Sequence, residues 1–261
     1  MSGVFSLHGK KGLILGIANA QSIAFGCARA AIASGAVLAV NYQNEKSLPF
    51  VRAAVEPWIK SAAVDIFEPC DLLRCDQIDR LFDDISRRWG RLDFVIHSVA
   101  FAPQIDLHGR VLDCSRDGFL TAMDVSCYSL VKIAKMAEPL MTDGGSIVTM
   151  SYYGGEKVVP EYNLMGPVKA ALDAVVRELA SEMGGQKIRV NAIAPGPIFT
   201  RAASGIANFQ NIASEAVKRS PEHRLATIDE VGGVAVFLVS EASRAITGTV
   251  THVDAGYHIM A

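Results

Sequence analysis

The sequence contains no run of some eighteen apolar residues, which excludes a membrane-spanning helix. It carries no excess of positive charge. Its 25 lysines and arginines stand against 27 aspartates and glutamates, a net charge of −2 that lacks the basic footprint of a nucleic-acid binder. No Cys-x-x-Cys pair occurs, and the five cysteines (27, 70, 75, 114 and 127) are odd in number and scattered, so a disulfide framework is not expected. Cys70 and Cys75, flanked by Asp71 and Asp76, could suggest a metal site. No histidine stands near them, however, and reduced thiols with no metal are the better reading. The stretch from Met1 to Leu7 lacks the charged-then-apolar layout of a secretory signal, so a cytoplasmic protein is expected. No low-complexity tract, Pro/Gly/Ser linker or repeat of 20–50 residues divides the 261 residues, which read as one domain spanning 1–261.

Half of the residues are hydrophobic and a fifth are charged, the composition of a globular enzyme with a large core. Short apolar runs alternate with longer helical patterns. The runs Gly12–Gly16, Ala36–Asn41, Val64–Phe67, Asp93–His97, Ser146–Met150, Ile188–Ile193 and Thr249–Val253 read as strands. Between them, helix-like patterns lie near 22–34, 46–60, 76–89, 117–138, 162–184 and 229–240. Strands that are apolar throughout are buried on both faces, as in a parallel sheet covered by helices. Seven such units predict an α/β fold: a doubly wound, seven-stranded parallel sheet of Rossmann type with helices on both faces.

The first strand leads into Gly16-Ile17-Ala18-Asn19-Ala20-Gln21-Ser22-Ile23-Ala24-Phe25-Gly26. Gly16 permits a sharp turn off the strand and Gly26 a close helix–sheet contact. Ser22 is a plausible N-cap whose neighbouring free N–H groups suit a pyrophosphate. The pattern Gly-x-Gly-x-x-Gly is absent, so a tight turn without a ligand stays open beside the nucleotide reading.

In the middle of the chain Tyr152, Tyr162 and Lys169 follow the fifth strand. On one helix, Tyr162 and Lys169 would be separated by about 700° of rotation and about 10 Å along the axis, hence on one face. A lysine so placed is expected to lower the pKa of a phenol that gives or shares a proton.

The turn Gly16-x5-Ser22-Ile23-Ala24-x-Gly26, together with Tyr152-x9-Tyr162-x6-Lys169, resembles the enoyl-acyl-carrier-protein reductases of the short-chain dehydrogenase/reductase superfamily. Most other members of that superfamily space the pair as Tyr-x3-Lys. Further segments resemble the same branch: Asp93 to Ala102, Tyr162-Asn163-Leu164-Met165-Gly166, Ile188 to Ile193, Gly196-Pro197-Ile198, Ala202 to Ile206, and Ile246-Thr247-Gly248 leading to His252 through Tyr257. The likeness runs from about residue 5 to the end.

The resemblance implies NADH-dependent reduction of the trans-2 double bond of an enoyl thioester in fatty acid synthesis. It implies that Tyr162 bonds the thioester oxygen as charge develops there, and that Lys169 holds the nicotinamide ribose. Tyr152 is then a wall of the acyl pocket with a possible part in proton delivery. Gly16, Ser22 and Ile23 fall on the pyrophosphate side, Asp71 and Leu72 at the adenine, and Ser98, Val99 and Ala100 along the adenosine ribose. Ile198 and Thr200 fall at the carboxamide and phosphates. Ala102, Met165, Phe199 and Ile206 are implied on the substrate side, where plain core packing is an equal reading for the apolar ones. Gln43 ends the second strand, where an Arg would favour NADP and an acid NAD; relatives that use NADH carry Gln there. The resemblance also implies a homotetramer.

Three departures bear on the substrate. Relatives carry basic residues on the helix after Gly205-Ile206, where this chain reads Ala207-Asn208-Phe209-Gln210-Asn211. Electrostatic steering of an acidic carrier protein is thereby reduced, and a coenzyme A thioester becomes a credible substrate. Ala194-Pro195-Gly196-Pro197 looks more like the wider superfamily. Tyr153, bulky and adjacent to Tyr152, is expected to narrow or reshape the pocket. A carbonyl or alcohol dehydrogenase using Tyr162 and Lys169 is the alternative enzyme, with Thr149 or Ser151 as its hydroxyl. A non-catalytic nucleotide sensor is the alternative outside enzymes. The histidines at 8, 97, 108, 223, 252 and 258 have no ligand spacing and read as structural.

Overall fold

The computed structural model describes residues 3–260. Seven strands form one parallel sheet: β1 (Lys11–Leu15), β2 (Val37–Tyr42), β3 (Val64–Pro69), β4 (Phe94–His97), β5 (Gly145–Met150), β6 (Ile188–Pro195) and β7 (Val250–Val253). Their order is β3-β2-β1-β4-β5-β6-β7, the doubly wound order with its reversal between β1 and β4. Each expected strand is present, shifted at its ends by at most two residues. The strands were legible because both faces are covered: Leu13, Ile14, Leu15, Val95 and Ile96 are wholly buried. Each such side chain contributes about 1.5–3 kcal/mol by leaving water.

The helices are α1 (Ile23–Ala33), α2 (Leu48–Lys60), α3 (Cys75–Trp89), α4 (Gln104–Leu107), α5 (Arg116–Met123), α6 (Ser129–Ala137), α7 (Met165–Met183), α8 (Phe209–Arg219) and α9 (Ile228–Val239). On one face α1 and α9 pack so closely that a Cβ at Gly26 would overlap the Ile228 carbonyl. A capping box, with Thr227 and Glu230 bonding each other's backbone N–H, starts α9 at that contact. The other face holds α3, α6 and α7 around Leu81, Ile85, Leu130, Leu172 and Val176.

Two expectations change. The pattern over 117–138 is not one α-helix: a π-helical turn, Asp124–Tyr128, separates α5 from α6. Its wider turn puts Ser126, Cys127 and, just beyond it, Ser129 into the interior, where two of them bind neighbouring segments. The pattern over 162–184 begins its helix at Met165, leaving Tyr162 in the turn before α7. Glu161 and Asn163 on either side of Tyr162 take positive φ values of 70° and 44°, which no helix accommodates.

Candidate active site

The sheet's reversal point opens a crevice beyond the carboxyl ends of β1 and β4, and the first turn lies across it. Gly16 has φ of 103°, and a Cβ there would overlap the Ser98 carbonyl. Only glycine lets the first turn lie against the segment after β4. Gly16 N donates to Asn41 Oδ1 (3.3 Å), and Asn41 Nδ2 donates to the Cys70 carbonyl (2.8 Å), so one buried amide ties three strand ends together. Asn41 gave no sequence signal beyond being a polar residue inside a strand. At the far end of this edge Gln43 Nε2 lies 3.4 Å from Asp71 Oδ2.

Ser22 stands at the N-cap of α1, but its hydroxyl donates to the Asn19 carbonyl (2.7 Å) and makes no capping bond. The first-turn N–H groups of α1 thus keep no side-chain partner, the condition for an anion at a helix N-terminus. A glycine cradle that a Cβ would fill and an uncapped helix start fit the pyrophosphate of a dinucleotide.

Tyr152 and Tyr162 meet at the inner end of the crevice, with ring centroids 4.5 Å apart and planes at 54°. The Tyr152 hydroxyl is buried with no hydrogen-bond partner among the described residues. Asn163 Nδ2 donates to the Leu107 carbonyl (3.2 Å) and anchors the strained turn that carries Tyr162. Lys169, in the first turns of α7, is buried and donates to the Met150 carbonyl at 2.7 Å. That bond uses one of three ammonium protons and leaves two for a ligand.

The cleft in front of this pair is lined by Ile23, Ala100, Ala102, Tyr152, Tyr162, Met165, Ile198, Thr200 and Ile206, all singled out in the sequence. Phe101, Leu107, Ser151, Pro195, Ala203, Phe209 and Ile212 line it as well and were not. Of these, only Ser151 was weighed at all, as a dehydrogenase hydroxyl; the apolar ones look like ordinary core in a bare sequence. Gly16, Ser22, Gln43, Asp71, Leu72, Ser98 and Val99 are not among the cleft's lining residues; Gly16, Gln43, Asp71 and Ser98 follow the strand edge described above. Phe199 is half exposed outside the lining, edge-on to Phe209 (5.3 Å), which takes the wall position instead. Tyr153 does not narrow the pocket: its ring turns away, onto Tyr257 (5.7 Å) and His252 (6.4 Å). Ser126 on the π-helical turn holds Phe101 through both its backbone N–H and its carbonyl, 2.9 Å each, fixing the opposite wall.

The electrostatics correct the expected phenolate. Burial pushes the Tyr162 hydroxyl well above its ordinary pKa, with Tyr152 and Asp173 adding to the rise. Tyr152 is raised too, by burial and then by Tyr257 and Asp254. The Lys169 ammonium is bound to Met150 and does not offset burial. Both phenols are therefore neutral donors, suited to hydrogen-bonding a developing oxyanion. Burial also lowers Lys169 to about 8, with Asp173 and then Cys127 pulling it back up. His97 is a structural residue: Nε2 donates to Ser129, whose own proton goes to the Val125 carbonyl, and Nδ1 accepts from Thr149. Burial, then Lys169, lowers it to about 3, so it stays neutral. Thr149 is thereby committed away from the cleft, leaving Ser151 as the one candidate dehydrogenase hydroxyl that reaches it. Among the described residues no three His, Cys, Asp or Glu side chains gather as a metal site, and no helix is long and apolar enough to cross a membrane.

Residues 16–258 match the family described as enoyl-(acyl carrier protein) reductase. The chain is 45% identical, over 97% of its length and 91% of the relative's, to enoyl-(acyl-carrier-protein) reductase (NADH) 1 of Rhizobium meliloti. Among solved structures it resembles the reductase of Anaplasma phagocytophilum in complex with NAD, with 48% identity, a TM-score of 0.91 and coverage of 98% and 96% of the two chains. The Bacillus cereus reductase, solved with NADP+ and an indole naphthyridinone, shares 42% identity with a TM-score of 0.94 and 98% coverage of each chain.

Proposed function

The chain belongs to the enoyl-(acyl carrier protein) reductase family, and from that premise we propose how its own residues carry out the reaction. It is an NADH-dependent oxidoreductase that reduces the trans-2 double bond of an enoyl thioester in fatty acid synthesis. NADH, when bound, supplies the hydride for the β-carbon of the substrate.

Gly16, Ser22, Ile23, Gln43, Asp71, Leu72, Ser98, Val99 and Ala100 would hold the nucleotide, with Ile198 and Thr200 at its nicotinamide end. Lys169, with two N–H groups not used by Met150, would donate hydrogen bonds to the ribose hydroxyls. The acyl chain lies in the cleft against Ala102, Met165 and Ile206, where apolar walls exclude water. Tyr162, a neutral phenol, donates to the thioester oxygen as negative charge builds on it, which stabilises the enolate-like state. Tyr152 packs at a tilt against Tyr162 and sets its ring. The single observation that carries this reading is the tilted pair of buried phenols lining an apolar cleft, with the buried Lys169 ammonium on the helix that follows.

The finer parts of the reading concern the carrier, the place and the assembly. The substrate is carried by acyl carrier protein or coenzyme A, and the enzyme is cytoplasmic. The chain forms one domain and assembles as a homotetramer; Leu112, Leu120 and Tyr128, apolar side chains exposed on and around α5, support an association surface.

The test is NADH oxidation measured side by side with a crotonyl carrier protein, crotonyl-CoA and a simple ketone. Both thioesters should be reduced and the ketone left untouched. Ketone reduction at a rate comparable to that of the thioesters would instead support the carbonyl dehydrogenase reading with Ser151 as its hydroxyl.

A further inference from the structure

Asp173 is a buried carboxylate that the reaction just described does not use. It lies one helical turn after Lys169 on the same face of α7, and both side chains are buried, Lys169 with 4% and Asp173 with 6% of its surface exposed. Residues so spaced have Cβ atoms about 5–6 Å apart. Room for them comes from Gly155, in the turn that follows Tyr152. A Cβ there would stand 2.9 Å from Asp173 Oδ2 and 3.0 Å from the Lys169 carbonyl carbon. Neither Asp173 Oδ1 nor Ser151 Oγ makes a hydrogen bond of normal geometry among the described residues. The Ser151 hydroxyl is nonetheless close enough to hold the carboxyl down against the rise that burial imposes.

We propose that Asp173 is a positioning residue of the reductase. Its carboxylate keeps Lys169 an ammonium in the working pH range, and it orients the Ser151 hydroxyl at the inner wall of the cleft. An ammonium removed from water and bonded to one carbonyl is costly unless a counter-charge stands near it. Asp173 is the carboxylate that supplies it. The other titratable groups that face this pair do not substitute for it. Cys127 on the π-helical turn pulls Lys169 up less than Asp173 does and is itself pushed toward the thiol by burial, His97 at the end of β4 is neutral, and Tyr152 and Tyr162 are neutral phenols. Glu156 and Arg177 act on Asp173 with opposite signs. A carboxylate at this position also explains the glycine at 155, since a larger residue would displace the group that balances Lys169.

The inference rests on Lys169 as the ribose ligand, so two variants separate the two ideas. Lys169→Ala at pH 7 should lose NADH affinity; unchanged affinity would show that Lys169 does not hold the ribose, whatever Asp173 does. Asp173→Asn should keep the alkaline limb of the kcat/KM profile but move it down by about one pH unit, the scale for losing one nearby opposite charge. At pH 6, where Lys169 is charged in either protein, activity should return to within a few-fold of wild type. Asp173→Glu restores the charge and should return the limb to within about half a unit of wild type. A purely structural role would lower activity equally at every pH and leave the limb in place, and that result would overturn the proposal. If Asp173→Asn does not fold, Asp173→Glu carries the test alone: a folded enzyme whose limb has dropped a full unit despite its intact carboxylate would contradict it.

Discussion

At the scale of single residues, the site runs on groups whose protonation is set by burial. Lys169 titrates at about 8 in the folded chain, below its ordinary value of 10.5, because burial penalises the ammonium more than Asp173 restores it. The ammonium is the form that donates to a ribose. NADH affinity should therefore be flat below pH about 8 and fall as pH rises through it, and calorimetry across pH 6.5 to 9.5 checks this; an affinity constant over that range would contradict the assignment. Stability follows the opposite sign. Between about 8 and 10.5 the unfolded chain holds a proton that the folded chain has released, so this group's contribution improves with rising pH in that window. On the proposed reading Gln43 sets the choice between nucleotides, because an amide bonded toward Asp71 offers no fixed cation to a 2′-phosphate. Gln43→Arg should shift the ratio of kcat/KM values toward NADPH; an unchanged ratio would place the 2′ position elsewhere.

At the scale of elements, the contact between α1 and α9 holds the nucleotide turn in place. A methyl group at Gly26 would meet the Ile228 backbone, which cannot move as a side chain tip would. Gly26→Ala should cost about 1–3 kcal/mol, the usual range for overpacking, and lower the melting temperature. A variant as stable as wild type would mean that the helices can separate without loss. On the proposed reading, helix α8 is where a carrier would be steered. Its lysine and the nearby arginines already have partners: Lys218 with Glu215, Arg224 with Glu222 and Glu230, Arg219 over Tyr257 and Arg201 over Phe50. With those cations engaged and Asn208, Gln210 and Asn211 uncharged, KM for an enoyl carrier protein should rise little with salt. A steep rise would reveal a basic docking surface elsewhere.

The same elements show what a sequence displays and what it conceals. Strands wholly buried on both faces, such as Leu13 to Leu15 and Phe94 to Ile96, read clearly because every residue obeys one rule. The turn around Tyr162 reads as helix in the sequence because the apolar spacing continues through it, while the positive φ values at Glu161 and Asn163 accompany tertiary anchoring such as the Asn163–Leu107 bond. The π-helical turn was invisible for a related reason. One extra residue per turn changes which side chains point inward without changing their types. Asp173 carries no local mark either: its meaning depends on Lys169, Gly155 and Ser151 arriving around it.

At the scale of the whole molecule, residues from Ile23 to Ile212 contribute to one cleft, drawn from the carboxyl ends of β1, β4, β5 and β6 and the segments that follow them. Tyr162 lines that cleft and the proposed contact with the thioester oxygen rests on its hydroxyl, so that hydroxyl is where the account is most exposed. The measurement that tests it most directly compares wild type with Tyr162→Phe for NADH affinity by calorimetry and for turnover of a crotonyl thioester. The account predicts unchanged NADH affinity and a turnover lower by about two to three orders of magnitude, the loss associated with removing one oxyanion donor. Turnover within a few-fold of wild type, with the nucleotide still bound, would contradict it.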